Sequence, residues 1–424
     1  MVRRAHGPAT TVTRGNRLEA WLRTPAGLFR IGGLITYVLP MNVHIRNTLA
    51  RRVVVSFALT AGGLLTSACG GDSLTQSTPQ PPRGIVVLDG FIQPGYTFLG
   101  DTGTTTTRLP LGPATEFDAG GFTLERDTAL AVSSRGAGDL LYVTNVATSA
   151  NRRLQLPARS NPGRARLFRG SNGQSLIAAA LRDSSAIALV STAGAGAPTI
   201  TRIANAGVCP TDMFQHDNAT WVVDANSNCR VNYAVQGDVR LIRIPSGGTA
   251  RDTVPLTGVR GSSAAAIVKG DVAYISAGGD ASFASFPYTL VTSGAIAKVD
   301  LRNRRVQLTR AMPAGTYGAG VKAGLDGFLY VSLYENLSSF NSRIIKLRGD
   351  DLATVANGAT PWLDLKNAAG AEVRCGSGIA DQLGRLHCIA NGTGSVTSVI
   401  VFSPTYVETR RVTAGQGGVD LGLR

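Results

Sequence analysis

Three observations predict an all-β chain, and within that class a β-propeller of seven four-stranded blades. First, helix signals are scarce beyond residue 70, where short runs rich in Val, Ile, Leu and Ala are broken by Gly, Asn, Asp and Ser. Second, one strand motif recurs as TALAVSS, SLIAAAL, ATWVVDA, DVAYISA, GFLYVSL and GRLHCIA. These copies begin at Thr128, Ser175, Ala219, Asp271, Gly327 and Gly384, so they are 47, 44, 52, 56 and 57 residues apart. Third, each copy is followed by a second apolar strand (DLLYVTN, AIALVST, VRLIRIP, AIAKVDL, RIIKLRG, SVIVFSP) and most by an outer, charged one such as RRLQLP or ETRRVT. A repeat of this length holding four short strands cannot bury both faces of its sheet alone, whereas radial packing buries them.

Six blades are counted directly. GIVVLDG, YTFLGD and TTTTRLPL supply three strands of a further one, and the C-terminal GGVDLGLR resembles an innermost strand that completes it and closes the ring. Six or eight blades, or two β-sandwiches, are the alternatives.

Residues 84–424 form this domain, and the residues before it read differently. Residues 1–40 are a start codon taken too early or an N-terminal extension. Residues 41–68 have signal-peptide architecture: Arg46, Arg51 and Arg52, then an apolar small-residue stretch from Val53 to Ala68. That stretch is short of the roughly 20 residues a spanning helix needs. Residues 69–83 are rich in Pro, Ser, Thr and Gln and form a flexible tether.

The formal charge of +15 invites a nucleic-acid reading. Only five of the 42 basic residues are Lys, and Met1 to Ala68 carry nine Arg against one Glu. Without that segment the charge falls to +7, spread along the chain and ordinary for solubility. Nucleic acid is not an expected partner.

Two resemblances add to this. Ser67, Ala68 and Cys69 resemble the cleavage box of a bacterial lipoprotein signal, which implies a lipidated Cys69; Gly70 after it implies outer-membrane sorting, facing the periplasm or the cell surface. Thr66 stands where that box carries Leu, so plain signal cleavage near Cys69 is the alternative. LYVTN (Leu141 to Asn145) resembles the YVTN-type β-propeller repeat of bacterial surface and periplasmic proteins. GVKAGLDGFLYVSL and GIADQLGRLHCIAN resemble the general propeller pattern. The resemblance implies a ring-shaped extracytoplasmic scaffold used mainly for binding.

Cys209, Cys229, Cys375 and Cys388 form an even set in a chain read as exported, which suggests two disulfides. Three pairings are possible. The repeat favours Cys209–Cys229 and Cys375–Cys388, each within one blade, where adjacent strands come within bridging range.

No nucleophile elbow, phosphate loop, dinucleotide fingerprint or HExxH motif is present. DANSN (Asp224 to Asn228) has calcium-loop spacing at its start but lacks the Gly and Glu that complete such a loop, so it reads as an Asx-rich turn. His387 reads as a core histidine. The loop Ser276 to Gly294 carries Phe283, Phe286 and Tyr288, which would cap a ligand or pack on a neighbouring blade. Strand position makes Asp212, His216, Tyr317, Lys322, Asp381 and Asp420 the candidate lining of the central funnel.

The expected function is that of a non-enzymatic binding or scaffold protein, monomeric and lipid-anchored in the cell envelope. Its membrane contact would be through the anchor only, and its partner an envelope protein, peptide or glycan. No cofactor is expected. The alternative is a metal-dependent propeller hydrolase of the lactonase type, in which funnel carboxylates hold a divalent cation that polarises an ester carbonyl.

Overall fold

The computed structural model describes residues 29–31, 34–36 and 84–424. Within the last range, residues 91, 101–105, 114–118, 134–138, 171–172, 192–197, 248–250, 283–287, 338–340 and 392–395 are not described. Cys69, the signal segment and the tether lie outside the described residues. The chain divides into two compact units, Met1–Gln76 and Ser77–Arg424. In the first, β1 (Phe29–Ile31) pairs antiparallel with β2 (Leu34–Thr36).

The second unit is a seven-bladed β-propeller. Blade 1 is β31 (Gly418–Leu423), β3 (Gly84–Asp89), β4 (Gly95–Gly100) and β5 (Thr106–Pro110). Blade 2 is β6 (Ala119–Glu125), β7 (Thr128–Ser133), β8 (Leu140–Asn145) and β9 (Ala150–Gln155). Blade 3 is β10 (Pro162–Arg169), β11 (Ser175–Leu181), β12 (Ala186–Ser191) and β13 (Thr199–Ala204). Blade 4 is β14 (Pro210–His216), β15 (Ala219–Asp224), β18 (Arg240–Pro245) and β19 (Asp252–Pro255), with a small hairpin, β16 (Ser227–Asn228) and β17 (Ala234–Val235), between its second and third strands. Blade 5 is β20 (Ala264–Lys269), β21 (Val272–Ser282), β22 (Thr289–Asp300) and β23 (Arg305–Ala311). Blade 6 is β24 (Tyr317–Ala323), β25 (Leu329–Tyr334) and β26 (Ser342–Leu347). Blade 7 is β27 (Ser377–Ala380), β28 (Leu386–Asn391), β29 (Val396–Phe402) and β30 (Glu408–Gln416).

Strands are antiparallel within every blade, and the first in each set is innermost. Blade 6 shows three strands among the described residues. Its outer edge is met by irregular chain through an isolated bridge between Leu347 and Thr354.

Period-2 alternation explains the packing. In β7, Ala129 and Ala131 face blade 1, while Leu130 and Val132 face blade 3. The same division holds round the ring, so each of the seven interfaces between blades carries its own apolar cluster. At the interface of blades 4 and 5, Trp221 is buried and stacks on Phe214 with ring centroids 6.2 Å apart.

The ring closes as the sequence predicts. β31 pairs with β3 from Ile85–Leu423 to Asp89–Gly418, and the Arg424 N–H donates to the Gly84 carbonyl at 3.0 Å. Beside this closure lies Asp89, fully buried, accepting from Thr97 Oγ1 at 2.7 Å with Arg108 3.9 Å away. Burial pushes its carboxyl up to about 7 against the weaker pull of Thr97 and Arg108.

Two predictions follow from the packing and the closure. Trp221→Ala should cost about 3–5 kcal/mol in urea unfolding. Trp221→Phe should cost less, because it also removes an indole N–H that has no hydrogen-bond partner. Asp89 binds a proton in the folded state between about pH 4 and 7, where the unfolded chain does not. Its contribution is therefore most favourable below about pH 4 and declines as pH rises to about 7. Asp89→Asn should flatten that decline and stabilise the protein at about pH 8 by roughly 3 kcal/mol; unchanged pH dependence in denaturant titrations would refute the assignment.

Candidate functional site

The innermost strands surround an axis, and all seven take part in one polar network along it. The approach is close because glycines face backbone there: a Cβ on Gly163 of β10 would stand 2.6 Å from the Thr211 carbonyl oxygen of β14. In β10 Arg164 and Arg166 occupy alternate positions and so share a face, and both guanidinium groups approach Asp212 of blade 4. Arg166 Nε and Nη2 donate to Asp212 Oδ1 and Oδ2 at 2.8 and 2.7 Å, a bidentate pair, and Nη2 also donates to the Ala266 carbonyl at 2.7 Å. Asp212 accepts further from the N–H groups of Met213 (2.8 Å) and Ala266 (2.9 Å), with Arg164 Nε 3.8 Å away. Burial alone would raise the Asp212 carboxyl; Arg166, Arg164 and the Ala266 N–H outweigh it and hold the group below its ordinary range.

Blades 1, 6 and 7 supply the other half. Lys322 of β24 forms an ion pair with Asp420 of β31 and donates to the Leu421 carbonyl. Asp420 Oδ1 also accepts from Ser377 Oγ of β27 at 2.8 Å and from the Leu421 N–H at 2.9 Å. Burial pulls the Lys322 ammonium below its ordinary value, Asp420 opposes this, and Arg164 adds to it. Arg164 thus electrically joins the two halves. Blade 2 contributes Glu125, which accepts from the Leu167 N–H at 3.4 Å; burial raises its carboxyl against the field of Arg166.

The end of the axis at which the innermost strands begin is covered by the blade 4 insertion. Cys209, just before β14, is bonded to Cys229 in the hairpin segment, and Cys375 to Cys388, with Cα atoms 5.8 Å apart in both. These are the pairings the repeat favours, and they indicate an oxidising, exported environment. Asp224 closes the base of the insertion, accepting from the N–H groups of Val208, Cys209 and Asn226 and from Arg240, so DANSN is a turn built on its own carboxylate. On one side Arg230 donates to the Asp183 carbonyl (2.6 Å), and Asn161 Nδ2 donates to the Tyr233 hydroxyl (3.0 Å). On the other, β17 packs on β21. Tyr317 opens β24: burial raises its phenol, the Ser262 hydrogen bond opposes that, and Tyr334 and Tyr233 add to it. Tyr233 is therefore within electrostatic reach of blade 6 while bonded to blade 3, and the hairpin spans the mouth.

Of the candidate residues, Asp212, Lys322 and Asp420 share the axial network, and Tyr317 lies at its covered mouth. His216 and Asp381 are elsewhere. His216 is the last residue of β14, with Nε2 3.4 Å from both Asp217 and Asp271 at the opposite end of the axis. Asp381 sits in the β27–β28 turn at that same end. It accepts from the N–H groups of Leu383 (2.9 Å) and Arg385 (3.0 Å) and from Arg385 Nε (2.7 Å), and it contacts His387 Nε2 at 3.0 Å. Burial opposes ionisation, but His387 and Arg385 together hold its carboxyl at about 2. His387 is a buried residue, as its sequence context predicts. Phe283 and Phe286 lie outside the described residues; much of the expected loop around them is an extension of the β21–β22 hairpin. Glu125, Arg164, Arg166 and Ser377 were not anticipated. The signal for the arginines was present: two in alternate positions of the apolar segment PGRARLFR require acidic partners once buried.

An open concavity lies off the axis, between blades 3 and 4 at the end where the innermost strands finish. It has a volume of about 1100 Å³. Phe168, Leu176, Leu189, Ile203 and Ile244 form its walls, and Arg169, Gln215 and His216 are among the polar residues that line it. Gln215 fixes the margin by accepting from the Arg169 N–H (2.7 Å) and donating to the Arg169 carbonyl (2.8 Å). Among the described residues, no three His, Cys, Asp or Glu side chains come together in a way that could hold a metal ion, and no helix is long and apolar enough to cross a membrane.

No protein-family profile and no curated protein matches the chain. Solved structures do. A protein from Lactobacillus plantarum is 13% identical, with a TM-score of 0.54 over 81% of this chain and 100% of that one. A hypothetical selenium-binding protein from Sulfolobus tokodaii is 8% identical, with a TM-score of 0.52 over 82% and 94%. A protein described as a putative 6-phosphogluconolactonase from Bacteroides fragilis is 12% identical, with a TM-score of 0.51 over 83% and 100%. At these identities the likeness is one of fold.

Removing one partner of the Lys322–Asp420 pair leaves a buried charge uncompensated. Lys322→Met should cost about 3–5 kcal/mol in urea unfolding. Lys322→Met with Asp420→Leu should cost clearly less than the two single changes summed. Additive losses would show that the pair is not coupled.

Proposed function

We propose that this chain is an exported, non-enzymatic binding or scaffold propeller, anchored in the cell envelope through a lipidated Cys69. It would engage an envelope protein, peptide or glycan away from its axis. One observation carries the reading: the axial channel, where a propeller would hold a small ligand, is filled by its own charges. Both oxygens of Asp212 are taken by Arg166 and backbone N–H groups, and Oδ1 of Asp420 by Lys322, Ser377 and the Leu421 N–H. The insertion over the mouth, pinned by the Cys209–Cys229 bridge, adds to this. The open groove between blades 3 and 4 offers apolar wall and polar margin together, the composition typical of recognition surfaces.

The lactonase-type alternative needs carboxylate oxygens free to hold a divalent ion. Both oxygens of Asp212 are taken, Asp420 stands against the Lys322 ammonium with its Oδ1 committed, and Asp381 is held by Arg385 and His387 at the far end. The described residues thus do not fit such an ion, and the likeness to the putative lactonase extends to fold alone.

Two measurements test the proposal. Residues 70–424, treated with EDTA and then given Ca²⁺, Mg²⁺, Mn²⁺ or Zn²⁺, should show no ion-specific rise in Tm. A site loaded at a hundredfold over its Kd would add about 2.7 kcal/mol. A rise of several degrees with one ion, lost in Asp420→Asn, would overturn the non-enzymatic reading. In a bacterial host, Cys69→Ala should move the propeller from the membrane to the soluble envelope fraction; unchanged membrane partitioning would overturn the anchor.

A further inference from the structure

Strand register gives the cleft between blades 3 and 4 an ordered wall. On blade 3, Phe168, Leu176, Ser191 and Thr199 lie opposite one another across β10, β11, β12 and β13, so they form one row on the face toward blade 4. The next row is Arg166, Ala178, Leu189 and Thr201, and the row after it holds Ala180, Ile187 and Ile203. Ala178, Ala180 and Ile187 pack on Met213, Val222 and Ile242 of blade 4. Leu176, Leu189 and Ile203 are only half-buried, because the blades part there to form the cleft. These three run diagonally across the wall, one per strand and each one row on. Diagonal neighbours of this kind stand about 7–8 Å apart. Ser191, Thr199 and Thr201 fill the wall on the outer side of that diagonal. Blade 4 faces them with Thr220 and Ile244, which are paired across β15 and β18, and with Ser246.

We propose that this cleft docks an extended, uncharged peptide segment of a partner protein, with aliphatic side chains at alternate positions. Alternate side chains of an extended chain fall about 6.7 Å apart on one face, close to the step of the Leu176–Leu189–Ile203 diagonal. The segment's backbone N–H and C=O groups meet hydroxyls, which both donate and accept. A charged segment would set its charge against an aliphatic and hydroxyl wall with no ionic partner, at a cost in desolvation. The ionisable residues nearby are directed elsewhere. Arg166 is held by Asp212, and His216 Nε2 meets Asp217 and Asp271. Arg169 alternates with Phe168, so its side chain leaves on the face where Leu167 packs against the blade 2 and blade 3 cluster. The undescribed residues adjoining these strands in sequence, 171–172, 192–197 and 248–250, are all Ser, Asn, Thr, Ala or Gly. A glycan is disfavoured because Phe168, the aromatic residue of the wall, is only 4% exposed and offers no face for a sugar ring. A volume of about 1100 Å³ accommodates several residues of such a segment. Peptide docking here rests on the binding reading above, though not on the Cys69 anchor.

The test uses residues 70–424 and fluorescein-labelled, capped heptapeptide pools read by anisotropy. One pool carries Leu, Ile or Val at alternate positions with Ser, Asn or Gln between them; two matched pools carry Glu or Lys between them instead. The expected result is saturable binding of the neutral pool, with both charged pools weaker by about tenfold or more. Thr220→Glu and Thr201→Arg place opposite charges on the two walls, at a half-buried and an exposed position. Each should weaken the neutral pool by about tenfold or more at an unchanged urea midpoint. Thr220→Glu should also gain affinity for the Lys pool, and Thr201→Arg for the Glu pool, which a merely structural effect would not produce. Ser246→Glu, at an exposed position of the same cleft, replaces either variant if it unfolds. No binding of any pool, equal or tighter binding of a charged pool, or neutral binding retained in both variants overturns the site. Binding on a glycan array that both variants lose, without peptide binding, assigns the cleft to a glycan and overturns the peptide. The metal titration above tests the non-enzymatic reading separately, so the peptide can fail while that reading stands.

Discussion

A four-stranded sheet with two apolar faces cannot stand in water, and everything else in this molecule follows from how that is resolved. Alternate residues of β7 belong to different cores, Ala129 and Ala131 to one and Leu130 and Val132 to the next. No blade therefore has a core of its own. Each depends on both neighbours, and the dependence runs round the ring until it returns to blade 1. The chain meets that demand by spending its last strand, β31, on the blade that its first propeller strand began. N- and C-terminal segments are thereby joined by the longest sequence separation in the fold, and losing the last strand would expose two apolar faces at once.

Closing seven strands around an axis creates the second constraint. The inner edges are too crowded for large apolar side chains, as the backbone contact at Gly163 shows, yet too enclosed for unpaired charge. The solution is mutual: Arg164, Arg166 and Lys322 against Glu125, Asp212 and Asp420, with Ser377 and the Ala266 backbone completing the hydrogen bonds. Such groups bring little net stability once desolvation is charged against them. Their consequence is chemical. A carboxylate that already accepts four hydrogen bonds, as Asp212 does, has no lone pair left for a metal or substrate.

How legible this was depends on whether a feature is local or assembled. The alternation within strands, the spacing of the repeats and the inner-strand character of GGVDLGLR are local, and they specify seven blades and their closure. The disulfides are nearly local, each within one blade. Assignment to an inner strand was also readable, which is why Asp212, Lys322 and Asp420 reach the axis. Height along the axis was not. His216 lies only four positions beyond Asp212, yet it sits at the end of β14 beside Asp271, and Asp381 falls past the end of β27 in a turn. Partners were hidden too, because Arg166 and Asp212 are 46 residues apart and meet only through the packing of two blades. Among the described residues blade 6 shows no fourth strand: the chain after Leu347 alternates only briefly, at Leu363 and Leu365, and is interrupted by Gly358, Pro361 and Gly370.

The same geometry gives several of the propeller's arginines a structural role. Outer strands present unpaired backbone groups, and in this propeller they carry arginines that reach carbonyls beyond their own strand. Arg202 of β13 donates to the Ser184 carbonyl, Arg251 beside β19 to Ala204 in blade 3, and Arg310 of β23 to Leu352 and to the Thr354 hydroxyl in blade 6. A charged outer edge resists pairing with another chain, and a planar guanidinium with five donors can hold several acceptors at once where an ammonium acts as a point charge. Arginine is thus used twice in this fold, at the axis to neutralise buried carboxylates and at the rim to join and shield blades. Both uses draw on a fork of donors that a point charge lacks.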